Sequence, residues 1–312
     1  MRSAVQHMLN FAAQVLRRCP GYDTVIRRYY SIDSPRRATL LGRLAGRVFE
    51  AEYWSRPTSD RARIQAKLMG GDSGVEWARR YASSFEDFPP PSDIRVGTMS
   101  WAESAPMFAE LVNFLSSVNR ASVLVVQLGA SSGREIAALA KRFPAHSFLF
   151  TDIDESICQA ARQRYSLPNL DFVSAYASDI PSVIRSRVCQ EVLIFASGSA
   201  QYVFPEHWSS MLTELTSLPH ARKHVVVMEP GCEIEKLQAS GRGSQPRGNF
   251  SYTHDYSWYA RKVGWQEIHW CVVRPYLEDD PIHGQTVHLF GWFTVNGDAV
   301  KTPTQPEMRW SS

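Results

Sequence analysis

The sequence predicts an α/β fold: a doubly wound, seven-stranded sheet that is mostly parallel, with an antiparallel C-terminal pair, plus a helical N-terminal region. Three observations support this prediction. From Val123 onward, short apolar runs alternate with amphipathic stretches, which is the pattern of repeated β-α units. The last two apolar runs have no helical stretch between them, so we expect them to pair antiparallel. The earlier part of the chain spaces its apolar residues as helices do.

The chain divides into three predicted regions. Residues 1–95 are helical and basic, residues 96–297 form the α/β domain, and residues 298–312 are a disordered tail. Three consecutive prolines at 89–91 interrupt regular structure and mark the first boundary. A helix at 101–118 leads into the α/β domain. The spacing of apolar residues predicts three earlier helices, at 4–16, 36–54 and 60–84.

Positive charge is concentrated near the N-terminus. Residues 1–49 contain nine arginines and two acids, a balance of +7, whereas the whole chain carries +3 and the remainder therefore −4. This excess predicts peripheral contact of residues 1–49 with an anionic membrane surface or a phosphate-bearing substrate carrier. The alternative is that the first helix packs on the α/β domain. No nucleic-acid partner is expected, because the rest of the chain is mildly acidic.

The five cysteines are scattered and form no C-x-x-C pair, which predicts free thiols in a reducing compartment and no metal site. No apolar stretch approaches the roughly 18 residues of a membrane-spanning helix. The N-terminus also lacks the pattern of a secretory signal. A cytoplasmic location is therefore expected.

Strands and helices alternate through the α/β domain. The first strand, VLVVQLG at 123–129, is rich in valine and bounded by glycine, as buried parallel strands are. Four more parallel strands are predicted at 147–153, 170–176, 191–198 and 224–231. Helices are predicted at 133–143, 155–165, 206–217 and 253–262. The final antiparallel pair is predicted at 265–273 and 286–295.

A glycine-containing loop lies where the first strand ends and the first helix of the domain begins. It reads Gln127-Leu-Gly129-Ala-Ser-Ser-Gly133. Glycine there lets the backbone approach a ligand closely and adopt positive φ. The helix N-terminus adds unpaired N–H donors and a positive dipole end, which suit a carboxylate or phosphate. A plain strand-to-helix turn is the alternative interpretation.

Asp152 ends the second predicted strand, roughly 20 residues after the glycine loop. An acid at this place suits the hydroxyl pair of a ribose. Its alternative role is to cap the following helix, but Asp154 is better placed as that cap. The order and spacing of the two motifs therefore favour a nucleoside-containing ligand.

The segments 123–144 and 148–162 resemble the first two motifs of class I S-adenosylmethionine-dependent methyltransferases. In that family the first strand commonly ends D/E-x-G-x-G-x-G, and the second ends in an acid that holds the ribose. The resemblance extends over residues 120–297, because five parallel strands and a final antiparallel pair are typical of the family. It implies a Rossmann-like methyltransferase domain with S-adenosylmethionine as cofactor.

The resemblance also implies which residues bind the cofactor. Gly129 and Gly133 match the glycine loop, and Asp152 matches the ribose acid. Two positions depart from the family pattern. Gln127 stands where the first motif usually has an acid, and Ser131 stands at its middle glycine. The implied cofactor-binding residues are Gln127, Gly129, Gly133, Asp152, Ile153, Tyr176, Asp179 and Ser197.

The later strand ends complete the implied site. Ile153 would pack on the adenine, and Tyr176 and Asp179 would lie near its amino group. Ser197 belongs to ASGSAQYV, at 196–203, which resembles a loop of methyltransferases in sugar and polysaccharide biosynthesis. The resemblance thus implies methyl transfer to an oxygen or nitrogen of a small-molecule or saccharide-type acceptor.

Two other function classes stay open. A nicotinamide-dependent oxidoreductase would need G-x-G-x-x-G, whereas Ser131 occupies the place of its second glycine. The paired C-terminal strands also argue against that class. The other alternative is a catalytically inactive binding module that keeps the fold, since fold alone does not establish activity.

Catalytic groups are expected beyond the carboxyl ends of the fourth and fifth strands. A hydroxyl acceptor must lose a proton, and an imidazole titrates near neutral pH, so His254 and His207 are the candidate general bases. Structural roles compete with these: His207 in the first turn of a helix, and Glu229 in shaping a loop. The other candidates are Tyr202 and Asp255, and an aromatic wall of Tyr252, Tyr256 and Trp258.

Overall fold

The structure is a computed structural model. It describes residues 106–118, 123–231, 234–247, 251–273 and 287–296, together with Val15 and Val48. Apart from Val15 and Val48, the predicted helices at 4–16 and 36–54 and the basic segment 1–49 lie outside the described residues. The predicted helix at 60–84, the proline boundary and the tail 298–312 also lie outside them.

Strands form where the sequence has short apolar runs. All six residues of β1 are buried, as expected for a strand covered on both faces. The strands are β1 Val123–Leu128, β2 Ser147–Asp152, β3 Leu170–Ser174, β4 Glu191–Ser197, β5 Arg222–Gly231, β6 Ser244–Arg247, β7 Ser251–His254, β8 Gln266–Val273 and β9 Val287–Asn296.

Helices connect most of these strands. The helix that leads into β1 matches the expectation for 101–118 over the described residues. Asp154 caps the helix after β2 by accepting a hydrogen bond from Ser156 N, as predicted. The helices are α1 Pro106–Ser117, α2 Arg134–Arg142, α3 Glu155–Arg164, α4 Ile180–Arg185, α5 Pro205–Thr216, α6 Ile234–Ala239 and α7 Tyr256–Lys262.

Seven strands form one sheet in the order β3-β2-β1-β4-β5-β9-β8. The first five are parallel, and in register Val126 of β1 lies opposite Leu149 of β2 and Ile194 of β4. The strand β9 runs antiparallel to β5 on one side and to β8 on the other. The predicted seven-stranded, mostly parallel sheet with an antiparallel C-terminal pair is therefore confirmed.

Helices cover both faces of this sheet. On one face α1, α2 and α3 pack on strand side chains that include Val125 and Phe195. On the other face the helices α4 to α7 pack on the alternate side chains, which include Val126 and Ile194. Because successive side chains point to opposite faces, each central strand must be apolar throughout. The doubly wound architecture is thus confirmed.

The segment between β5 and β8 differs from the prediction. A helix was expected at 253–262, but α7 begins only at Tyr256, and residues 251–254 instead pair with 244–247 as a two-stranded hairpin. The side chain of Asp255 ends the hairpin by accepting a hydrogen bond from Trp258 N, which caps α7. The helices α4 and α6 were also not predicted, because each has only six residues.

Candidate functional site

The carboxyl ends of β1, β2 and β4 lie side by side, because β1 pairs with β2 on one side and with β4 on the other. After β1 the chain continues to β2 on one side of it, and after β4 the chain continues to β5 on the other side. The loops that follow β1 and β4 therefore diverge at the carboxyl end of β1. Open α/β sheets bind ligands at such a point. The predicted site residues Gly129, Asp152 and Ser197 all lie at this edge.

The glycine loop adopts a backbone that requires its glycines. Gly129 and Gly133 have φ of 57° and 70°. A Cβ on Gly129 would lie 2.6 Å from Ser199 Cβ, and one on Gly133 would lie 2.8 Å from the Phe150 ring. Ser131 has a φ of 49° and is the one non-glycine residue with positive φ among the described residues. The loop therefore keeps the glycine-type geometry although its middle residue is serine.

Gln127 supports the start of α2. Its Oε1 accepts a hydrogen bond from Ile136 N at 3.2 Å, and its Nε2 donates to Glu135 Oε2 at 3.4 Å. The side chain is 2% exposed. Because both ends of the amide are used within the protein, this geometry does not favour direct cofactor contact by Gln127, which stays a prediction.

Asp152 joins the second strand to the glycine loop. Its Oδ2 accepts from Ser131 N at 3.0 Å, and its Oδ1 accepts from Asp154 N at 3.2 Å. Burial raises the pKa of the carboxyl, while the backbone N–H donors oppose that rise. Each carboxylate oxygen has a further lone pair, so Asp152 can accept additional hydrogen bonds from ligand hydroxyls.

The end of β3 forms the rim of the site. Tyr176 is exposed, and Ile153 is half-buried beside it in the neighbouring strand-end loop. Asp179 Oδ2 accepts from Tyr176 N at 3.4 Å, which closes the 3-10 turn at Ala177–Asp179. Asp179 therefore shapes this rim, and its predicted cofactor contact stays a prediction.

Residues 198–203, which we call the β4 loop, follow β4 into the site. The buried carboxylate of Glu229, at the end of β5, accepts three backbone hydrogen bonds from this loop. Its Oε1 is 3.0 Å from Ser199 N and 2.8 Å from Ala200 N, and its Oε2 is 3.2 Å from Gln201 N. Glu229 is 0% exposed and shapes the loop, which was the structural alternative considered for it.

The β4 loop is also hydrogen-bonded to β1, and it has open space around Gly198. Ser199 Oγ donates to Leu128 O at 2.5 Å. Gly198 has a φ of 71°, and a Cβ there would meet no atom within 4 Å. Ser197 is half-buried at the end of β4. A side chain at Gly198 would thus meet open space, while Ser199, Ala200 and Gln201 are held by hydrogen bonds to β1 and β5.

The two candidate bases have different surroundings. His254 is 0% exposed, with Nδ1 2.6 Å from Ser244 Oγ and Nε2 3.1 Å from Val203 O. This arrangement does not support His254 as general base, because both ring nitrogens are engaged inside the protein. His207 is half-buried in the first turn of α5, with its ring against Phe204 at 5.6 Å.

The expected aromatic wall is largely core. Tyr252 and Tyr256 are buried, and only Trp258 of the three is half-buried. Sequence reasoning also missed Ser244, which contacts both His254 and Tyr259. No local signal marks Ser244, because its partners come from β7 and α7.

Within the described ranges, no group of three or more His, Cys, Asp or Glu side chains could hold a metal ion. In the same part of the chain, no helix has the length and hydropathy needed to cross a membrane.

The strand order now decides the fold, because five parallel strands are completed by β9 inserted antiparallel between β5 and β8. The chain has the Rossmann-like fold of class I methyltransferases. Neither protein-family models nor curated proteins match the sequence.

Many solved structures are similar to this chain, and S-adenosylmethionine-dependent methyltransferases are among them. Magnesium protoporphyrin IX methyltransferase from Synechocystis, solved with S-adenosylhomocysteine, is 13% identical; the match covers 75% of this chain and 99% of that one, with a TM-score of 0.47. A methyltransferase from Anabaena variabilis is 10% identical over 72% and 95%, with a TM-score of 0.45. The 1,6-didemethyltoxoflavin-N1-methyltransferase of Burkholderia thailandensis is 15% identical over 72% and 88%, with a TM-score of 0.43. At these identities the matches concern the fold alone.

Proposed function

We propose that this protein is an S-adenosylmethionine-dependent methyltransferase that acts on an oxygen or nitrogen of a small-molecule or saccharide-type acceptor. The main supporting observation is the hydrogen bond between Ser131 N and Asp152 Oδ2. It holds the glycine loop and the acid of the second strand together at the point where the strand order reverses. That pairing brings a carboxylate, the group that suits ribose hydroxyls, next to the glycine loop.

The residues at this edge fit the cofactor. Gly129 and Gly133 give the loop its positive φ and let it pack against Ser199 and Phe150, and the nine-residue helix α2 begins directly after it. Asp152 would bind the ribose, and Ile153 and Tyr176 would flank the adenine. When bound, this cofactor supplies an electrophilic methyl group on a sulfonium sulfur. The protein's own task is to align an acceptor with that methyl group and to exclude water.

The acceptor side lies at the β4 loop. Gly198 faces open space, and His207 follows on α5. We propose that a ring nitrogen of His207 takes the proton when the acceptor is a hydroxyl, since no hydrogen bond engages that ring among the described residues. An amine acceptor that is already deprotonated needs no such base.

Titration calorimetry of the full chain with S-adenosylmethionine, S-adenosylhomocysteine and NAD tests the proposal. We expect both adenosyl ligands to bind and NAD not to bind. Asp152→Ala should weaken binding of S-adenosylhomocysteine by about 1.5–3 kcal/mol, because a charged hydrogen-bond acceptor is lost. Asp154→Ala is the matched control: it removes the α3 cap, at about 1 kcal/mol of stability, but no predicted ligand contact.

Each alternative gives a distinct result in this experiment. Binding of NAD alone would indicate an oxidoreductase. Equal affinities for the parent and Asp152→Ala would show that the ribose assignment is wrong. Failure of the folded chain to bind any of the three ligands would contradict the proposed cofactor.

We further propose that residues 1–49 contact an anionic membrane surface from the cytoplasm, supported by their balance of +7. The full chain should co-sediment with vesicles of anionic phospholipid at low salt and be released at high salt, because salt screens the attraction. Binding that is independent of salt, or undetectable at low salt, would contradict this proposal.

A further inference from the structure

Four residues from separate elements form a partly buried chain of hydrogen bonds that ends at the β4 loop. Tyr259 Oη, on α7, lies 2.7 Å from Ser244 Oγ, on β6. Ser244 Oγ lies 2.6 Å from His254 Nδ1, on β7. His254 Nε2 in turn lies 3.1 Å from the carbonyl oxygen of Val203, the last residue of the β4 loop. The hairpin is thereby connected to a loop 51 residues earlier in the sequence.

The direction of these hydrogen bonds follows from the carbonyl. Because Val203 O only accepts, His254 Nε2 must carry the hydrogen. In the neutral ring Nδ1 then accepts from the Ser244 hydroxyl, which leaves Ser244 Oγ to accept from Tyr259. Burial raises the pKa of Tyr259, so its hydroxyl keeps its proton at neutral pH and acts as the donor. The two hydroxyls are therefore oriented to match the tautomer that donates to Val203 O.

The two ends of the β4 loop are held by different elements. Glu229 of β5 accepts the N–H groups of Ser199, Ala200 and Gln201 at its beginning. His254 holds the carbonyl at its end, directly before Phe204 and α5. The ring is also stacked against Tyr252 at 5.3 Å, so it has little freedom to move. Gly198, where a Cβ would meet no atom within 4 Å, lies directly before the first of these anchors.

We propose that His254 is a positioning residue that sets the acceptor-side wall of the site by fixing Val203, with Tyr259 and Ser244 fixing the ring. This inference rests on the proposed function, because the β4 loop lines the acceptor side only if the cofactor binds at the glycine loop. The hairpin of β6 and β7 then contributes to the shape of the acceptor site through this contact.

Two substitutions at His254 separate the hydrogen bonds. A glutamine amide nitrogen reaches about as far as Nε2, so His254→Gln keeps a donor for Val203 O. An asparagine amide reaches only as far as Nδ1, so His254→Asn keeps a partner for Ser244 and loses Val203. The measurement is amide hydrogen exchange of the peptide covering residues 198–204 in the full chain, with and without S-adenosylhomocysteine, alongside thermal unfolding.

We expect His254→Asn to accelerate exchange in residues 198–204 about tenfold, because one anchor of the loop is lost, and His254→Gln to stay within about twofold of the parent. Exchange in β1, β2 and β3 should stay at the parent rate in both variants. Equal effects of the two substitutions, or faster exchange throughout the domain, would overturn the proposal, as it would show only a core role. A parent that does not bind S-adenosylhomocysteine would instead refute the proposed function, while the exchange pattern still tests the hydrogen-bond chain.

Discussion

His224 makes the stability of the domain depend on pH. This residue of β5 is 5% exposed, and its Nδ1 accepts a hydrogen bond from Trp292 Nε1 of β9 at 3.2 Å. Its Nε2 lies 3.5 Å from Glu191, but Arg222 is paired with the same carboxylate at 3.8 Å. Burial and the positive charge of Arg222 therefore outweigh the attraction of Glu191, and they lower the pKa of His224 from 6.5 to about 4.

The lowered pKa determines the sign and size of the effect. Below pH 6.5 the unfolded chain takes up a proton at His224, whereas the folded chain resists protonation down to about pH 4. Stability is lost as pH falls through this window. At about 1.4 kcal/mol for each unit of pKa difference, the loss attributable to His224 reaches about 3 kcal/mol at pH 4.

Urea unfolding of the full chain at pH 7, 6, 5 and 4 measures this loss. His224→Asn keeps an oxygen that can accept from Trp292 Nε1 but does not titrate, so its stability should fall by about 3 kcal/mol less than that of the parent over this range. His269→Asn makes the same change at an exposed position of β8 and serves as the control. If the parent and His224→Asn lose stability in parallel, the assignment of a buried neutral imidazole is refuted.

Two further substitutions test the loops of the site. Glu229→Gln should lower the free energy of unfolding by about 2–3 kcal/mol, because the amide NH₂ would face a backbone N–H group that now donates to the carboxylate. Chemical denaturation measures this loss, and an unchanged midpoint would refute the role of Glu229 in the β4 loop. Ser131→Gly should raise stability by up to about 1 kcal/mol, because glycine adopts a positive φ without the steric cost of a side chain. Gly129→Ala should lower stability by more than about 1 kcal/mol, because alanine incurs that cost and its Cβ would also clash with Ser199. Thermal unfolding of both variants checks these opposite signs.

The sheet could be predicted from the sequence because each strand is marked by the apolar residues of its own segment. A strand covered on both faces must be apolar throughout, and β1 and β4 show this in their sequences. The cap at Asp154 could be predicted for a similar reason, because a cap lies next to its helix, whereas the ribose role of Asp152 stays a prediction.

The parts that could not be predicted depend on contacts between distant residues. The hairpin of β6 and β7 has strands of only four residues, and β6 contains a proline, so no strand signal stands out. The residue type of His254 suggests a general base, but its hydrogen bond in the structure is to Val203, which lies 51 residues earlier in the sequence. Glu229 is similar, since its partners lie 28 to 30 residues earlier.

The position of β9 has a consequence for how the domain is made. Although β9 contains residues 287–296, it lies in the interior of the sheet, between β5 and β8. Until these residues leave the ribosome, β5 ends the sheet with an open row of backbone donors and acceptors, and β8 has no neighbour to pair with. Such open edges invite pairing with other chains. The seven-stranded sheet is therefore complete only once β9 has been made, and until then the open edge of β5 leaves the nascent chain vulnerable to aggregation.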